Sequence, residues 1–180
     1  MAVGDAEDAA RWWQAYQLAE NDQAGELAVR AAAGDEHAGW QLASWLADRG
    51  RYEEAIEVIR PLADTGNEVD ELWLARWLAD ADHPDELRQR AAGGSYYVLH
   101  ELAGWLAGHE RLDELRQLMV DHRELLSGWL GTQHDMRVVR VAAELGDEQA
   151  RRRLERWLAR LHERAEAGDE HTLRFLEEQL

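Results

Sequence analysis

Apolar residues along this chain recur at intervals of three and four, the spacing of one helix face, and no stretch alternates as a strand would. The strongest instance is the phrase L-x-x-W-L followed by a small residue. It occurs as LASWLAD at 42–48, LARWLAD at 74–80 and LAGWLAG at 102–108. Leu126/Trp129/Leu130 and Leu154/Trp157/Leu158 continue the same frame. Its tryptophans are 32, 28, 24 and 28 residues apart. A second phrase, DELRQ, recurs at 85–89 and 113–117 with the same 28-residue offset, so the periodicity does not rest on tryptophan alone. Periods of this length are the signature of stacked helical units.

Each unit reads as two helices. In the first, Leu, Trp and Leu at i, i+3 and i+4 share one face. Small residues flank the tryptophan two positions to either side, Ala43/Ala47, Ala75/Ala79, Ala103/Ala107 and Ser127/Gly131, and form a flat strip for a closely packed helix. The second helices are shorter and fall at 51–63, 84–92, 112–122 and 134–145. Breaks between them carry Gly, Asn, Asp and Pro, with Asp or Ser positioned as an N-cap and Pro84 suited to a first turn. Pro61 is expected to end or kink the helix begun at Tyr52. A leading pair of helices is expected within 1–33 and a closing helix within 167–180, on either side of the tryptophan-bearing repeats at 34–166. Terminal units of a stack are atypical because one face meets water.

The segment 38–62, AGWQLASWLADRGRYEEAIEVIRPL, resembles a tetratricopeptide repeat in Leu42, Ala43, Leu46, Gly50, Tyr52, Ala55 and Ile56. The other units keep the first-helix signature without the Tyr-x-x-Ala-Ile half, and their period is shorter than the ~34 residues of that family. The expected fold is therefore all-α: a single domain over residues 1–180, built as a right-handed α-solenoid of about six antiparallel helical hairpins with a period near 28 residues. What the resemblance implies for function is binding of peptides or protein segments on the concave face that first helices line.

The five framed tryptophans occupy the register that stacking must bury, and are expected in the core. A second face lies one, five and eight residues before each of them. It reads Ser44, Trp40 and His37, then Arg76, Leu72 and Val69, then Gly104, His100 and Tyr97, then Gly128, Glu124 and Asp121, then Arg156, Arg152 and Gln149. The leading pair adds Tyr16 and Trp12 in the same register. This face varies from aromatic to acidic to basic, as a surface free of packing constraint can. It supplies the candidate partner-binding residues Trp12, Tyr16, His37, Trp40, Arg76, Tyr97, His100, Glu124, Arg152 and Arg156. The competing reading is a solvated face with incidental aromatics.

Composition narrows the partner. The 180 residues carry a formal charge of −17, which opposes binding to nucleic acid or anionic membrane and favours a basic or mixed-charge protein or peptide. All 20 basic residues are arginine and cysteine is absent, removing thiol chemistry and Cys-based metal sites. The arginine-only composition, abundant in Ala, Gly, Leu and Trp, looks like that of a GC-rich bacterial genome. The start, MAVGDAEDAARWW, lacks the basic and apolar runs of a signal peptide, and a soluble cytoplasmic protein is expected. The eight histidines make no HxxxH or HExxH spacing, adjacent His100 and Glu101 are expected to point apart, and no nucleophile elbow or phosphate-cradling loop occurs. No catalytic residue, metal site or cofactor is expected. Arg152, Arg156 and Arg160 share one face and suit either a carboxylate or phosphate clamp or pairing with nearby acids. Two other functions stay open: a signal-peptide or small-molecule sensor, and a self-associating structural element using Trp13 and Trp73.

Overall fold

The computed structural model describes residues 3–127 and 135–172, and among them every regular element is an α-helix. In chain order these are α1 (Val3–Glu20), α2 (Ala24–Ala32), α3 (Glu36–Ala47), α4 (Tyr52–Ala63), α5 (Glu68–Asp80), α6 (Pro84–Ala91), α7 (Tyr96–Gly108), α8 (Leu112–Asp121), α9 (Arg123–Ser127), α10 (Met136–Glu144) and α11 (Glu148–Glu166). Gly128, Trp129, Leu130 and most of the closing helix expected at 167–180 lie outside the described residues. No described helix is long and apolar enough to cross a membrane.

Turns closed by a single residue in the left-handed region set the helix boundaries. First helices end on a residue in the left-handed region, Asp22 (φ 61°), Gly50 (71°), Asp82 (61°) or Glu110 (57°). The next residue, Gln23, Arg51, His83 or Arg111, donates its N–H back to Leu18, Leu46, Leu78 or Leu106 at 2.8–3.0 Å, closing the terminal carbonyls in a Schellman arrangement. Asp tolerates this conformation better than most non-glycine residues. Second helices end on the same left-handed conformation at Gly34, Gly66, Gly94 and Gly146, and Asp35 and Asp147 repeat the return bond, to Arg30 and Ala142 at 3.0 Å. A capping residue then opens the following helix: Asp35 accepts from Ala38 N–H at 3.2 Å, Asn67 from Val69 N–H at 2.9 Å, and Asp147 from Ala150 N–H at 2.8 Å. Ser95 stands in the capping place before α7, yet its hydroxyl donates to Glu71 at 2.7 Å.

Pro61 neither starts nor immediately ends its helix. α4 runs two residues past it to Ala63. The missing N–H leaves the Glu57 carbonyl without its helical donor, but Glu57 and the proline ring are both exposed, where water can take the place of that donor.

The helices divide into two compact units, Met1–Leu102 and Ala103–Leu180, the division falling within α7. In the first unit each helix packs on its chain neighbours from α1 to α6, and α1 also packs on α3. Leu27, Leu42, Leu46, Ile56, Ile59, Leu74, Trp77, Leu78 and Leu87 form its core. Gly39 sits where α3 meets two helices, since a Cβ there would lie 3.3 Å from Leu62 Cδ1 and 3.9 Å from Ala31 Cβ. Ion pairs of Arg60 with Glu86 and of Arg90 with Asp64 tie α6 to α4 and to the turn after it. In the second unit α8 packs on α9 and α10, and α10 on α11, around Leu106, Leu115, Met119, Leu126, Val138, Val139, Val141 and Ala142.

The framed leucines at 42, 46, 74, 78, 102, 106 and 126 are buried, as the register requires. Trp77 and Trp105 are buried with them, at 4% and 8% exposure. Trp45 and Trp157 are only half-buried. Trp45 shows why: the Arg49 guanidinium covers one face of its ring at 3.9 Å, and its indole N–H donates to Asp22 at 2.9 Å. That polar bond needs a wet edge, so the ring stays at the margin of the core.

Candidate functional site

The variable face of the first helices produces one groove in the first unit, between α1 and α3. Trp12, Tyr16, Ala19 and Glu20 line it from α1, and Trp40, Gln41, Ser44 and Trp45 from α3, with Asp48 and Arg49 at the end of α3. Its volume is about 410 Å³. Trp12 is 44% exposed, and Tyr16 stacks on it with ring centres 5.5 Å apart and planes 9° from parallel. Trp13 covers Tyr16 from another side at 5.5 Å. Large aromatic rings offered to solvent in this way carry apolar area and a negative π face at little entropic cost.

The aromatic surface continues past the groove. Trp40 meets Trp73 of α5 edge-on at 6.2 Å, Trp73 leans on Trp77 at 5.8 Å, and the Arg76 guanidinium lies 5.7 Å from the Trp73 ring. Trp73 is half-buried among these neighbours.

Charge in the groove is unevenly satisfied. Arg49 is bound to Asp22 at 2.7 Å, which neutralises it in place. Glu20 and Asp48 have no ion-pair partner among the described residues. Gln41 is the one buried amide there, with 6% of its surface exposed and no hydrogen bond to the rest of the protein. Its amide atoms are not among those sealed from water, so the little exposure it keeps opens toward the groove it lines.

Of the ten candidate residues, Trp12, Tyr16 and Trp40 meet in this groove. His37 stands just outside it, with Nε2 2.9 Å from Asp8 of α1, and this hydrogen bond is the main reason the Asp8 carboxyl is held below its ordinary range. Arg76 is exposed on α5. Tyr97 and His100 cluster with Tyr96 on α7, and His100 Nδ1 lies 3.2 Å from Glu101, so these adjacent side chains approach one another where helix geometry alone suggested divergence. Glu124 on α9 and Arg152 and Arg156 on α11 are exposed within the second unit. There Arg156 and Arg160 each turn their Nε–H back to the carbonyl four residues earlier, at 3.2 and 3.3 Å.

Glu20, Gln41, Asp48 and Arg49 were not among the candidates. Gln41 lies four residues before the framed tryptophan, a row shared by Trp73, Glu101, Leu125 and Arg153 that borders the chosen face. A signal for the groove's closed end did exist. The spacing from Asp22 to Trp45 is repeated from Asp82 to Trp105, inside a 60-residue relation that also pairs DQAGELAVRAAAG (22–34) with DHPDELRQRAAGG (82–94).

Comparison with family models, curated proteins and solved structures gave no match.

Proposed function

We propose that this chain is a non-catalytic scaffold, working in the cytoplasm, that binds a peptide or protein segment along the face of its first helices. Its hairpins continue, in this reading, as a right-handed tetratricopeptide-like solenoid of about six units. The observation that carries the proposal is the α1–α3 groove. Three residues chosen from a single variable stripe, Trp12, Tyr16 and Trp40, converge there from two helices and leave aromatic surface uncovered. Aromatic anchors of this kind dominate binding energy when a partner covers them. The neighbour-to-neighbour packing of α1 to α6 supports the repeat reading, because such a stack presents equivalent faces in series.

Selection of random displayed peptides on the immobilised full chain tests this. Wild-type protein should enrich a related set of sequences, and Trp40→Ala, assayed well below its own melting temperature, should not hold them. Enriched peptides that bind the variant equally well, or no enrichment at all, would refute it.

A further inference from the structure

We propose that the α1–α3 groove seats a cationic side chain, arginine or lysine, of an extended peptide whose backbone is bound by the Gln41 amide. This rests on the peptide-binding reading above and names the chemistry that the groove selects.

Three features converge on it. The rings of Trp12, Tyr16 and Trp40 line the groove, and Trp12 is 44% exposed there; an aromatic ring attracts a cation within about 6 Å of its centre. At the same groove, Glu20 and Asp48 bring two carboxylates unpaired among the described residues, while the one cation present, Arg49, is held by Asp22 and stacked on Trp45. The groove thus offers negative charge without an internal counterion. Protein-wide charge of −17 draws a basic partner toward it.

Gln41 supplies an independent sign of a ligand. An amide on so nearly buried a residue with neither donor nor acceptor satisfied by protein is uncommon, and the exposure it keeps leaves both groups open to a molecule in the groove. Both its groups fit an extended backbone, in which the N–H and C=O of one residue point to the same side. Lined by these groups, the groove reads a positive side chain with its rings and carboxylates and holds the adjoining backbone with Gln41.

The test uses two synthetic hexapeptide libraries, randomised except for a central arginine in one and its neutral near-isostere citrulline in the other. Retention on the immobilised full chain is quantified by mass spectrometry. The arginine library should be retained about tenfold more strongly, and Glu20→Gln/Asp48→Asn should cut that preference about threefold, to the share the rings supply, while leaving citrulline peptides held as before; an undiminished preference would overturn the role given to the carboxylates. Glu163→Gln/Glu166→Gln, which removes equal charge from α11, should preserve the preference. Its loss in that variant would mean general attraction and would overturn the proposal. Equal retention of both libraries overturns it as well, leaving peptide binding itself intact. Retention of neither library defeats the peptide-binding reading and this proposal together. Gln41→Leu, with its far-ultraviolet helical signal retained, should weaken both libraries alike, and undiminished retention would overturn the role given to the amide.

Discussion

Truncating Trp77 and Trp12 to alanine removes the same side chain from two places, and the structure assigns the two changes very different costs. Trp77 is 4% exposed in the middle of α5, packed with Leu74 and Leu78 in the same core, whereas Trp12 is 44% exposed on α1. A buried tryptophan covers about 150–250 Å², worth roughly 4–6 kcal/mol at about 25 cal/mol per Å². Measured truncations of such residues cost about 3–5 kcal/mol. For Trp12 the principal loss is its stacking on Tyr16, about 0.5–1.5 kcal/mol. At about 4–8 °C per kcal/mol for a unit of this size, Trp77→Ala should lower the melting temperature by at least about 12 °C. Trp12→Ala should lower it by about half of that or less. Thermal melts followed by the far-ultraviolet helical signal measure both. Each residue belongs to the first unit, so the comparison holds whether the chain melts in one step or two. Shifts of similar size would refute the assignment of Trp77 to the core and Trp12 to the surface.

Further predictions concern caps, pH and glycines. Asp35→Ala removes the acceptor for Ala38 N–H at the start of α3 and should cost about 1 kcal/mol in denaturant titration, with Asp147→Ala costing a similar amount at α11. Asp169 accepts from the Thr172 hydroxyl and N–H and from Arg164, which hold its carboxyl at about 2 instead of 3.8. Because the folded value is depressed, the stability it contributes is complete above pH 3.8 and lost as pH falls through about 2. Carboxyl NMR should show that low midpoint, and a midpoint at the ordinary value would contradict it. Gly104 faces open space within α7, so Gly104→Ala should stabilise by about 0.5–1 kcal/mol. Gly39→Leu, forced against Leu62 and Ala31, should instead destabilise by about 1–3 kcal/mol in the same titration.

Helix limits were legible because the turn chemistry is local: a Gly followed by Asp or Asn marks the ends of α2, α4 and α10, and φ > 0 at Gly34, Gly66 and Gly146 is the physical counterpart. The burial of Trp77 was equally legible from its leucine frame. Trp45 has the same frame and is only half-buried, because register fixes which way a side chain faces and not how much its neighbour covers it. Its bond to Asp22 spans 23 residues, beyond any single-helix pattern. The groove was half visible for the same reason. Trp12, Tyr16 and Trp40 follow a stripe traced along individual helices. Glu20, Asp48 and Arg49 enter only because helix ends from different hairpins are brought together, and Gln41 lies on the border between the packed and variable faces.

The most direct measurement of the central claim is a heteronuclear NMR map of the indole N–H signals as a peptide enriched on the chain is titrated in. The account predicts that Trp12 and Trp40 shift together and saturably, while buried Trp77 and Trp105 stay in place. Saturable shifts that leave Trp12 and Trp40 unmoved would place the binding surface elsewhere and contradict it.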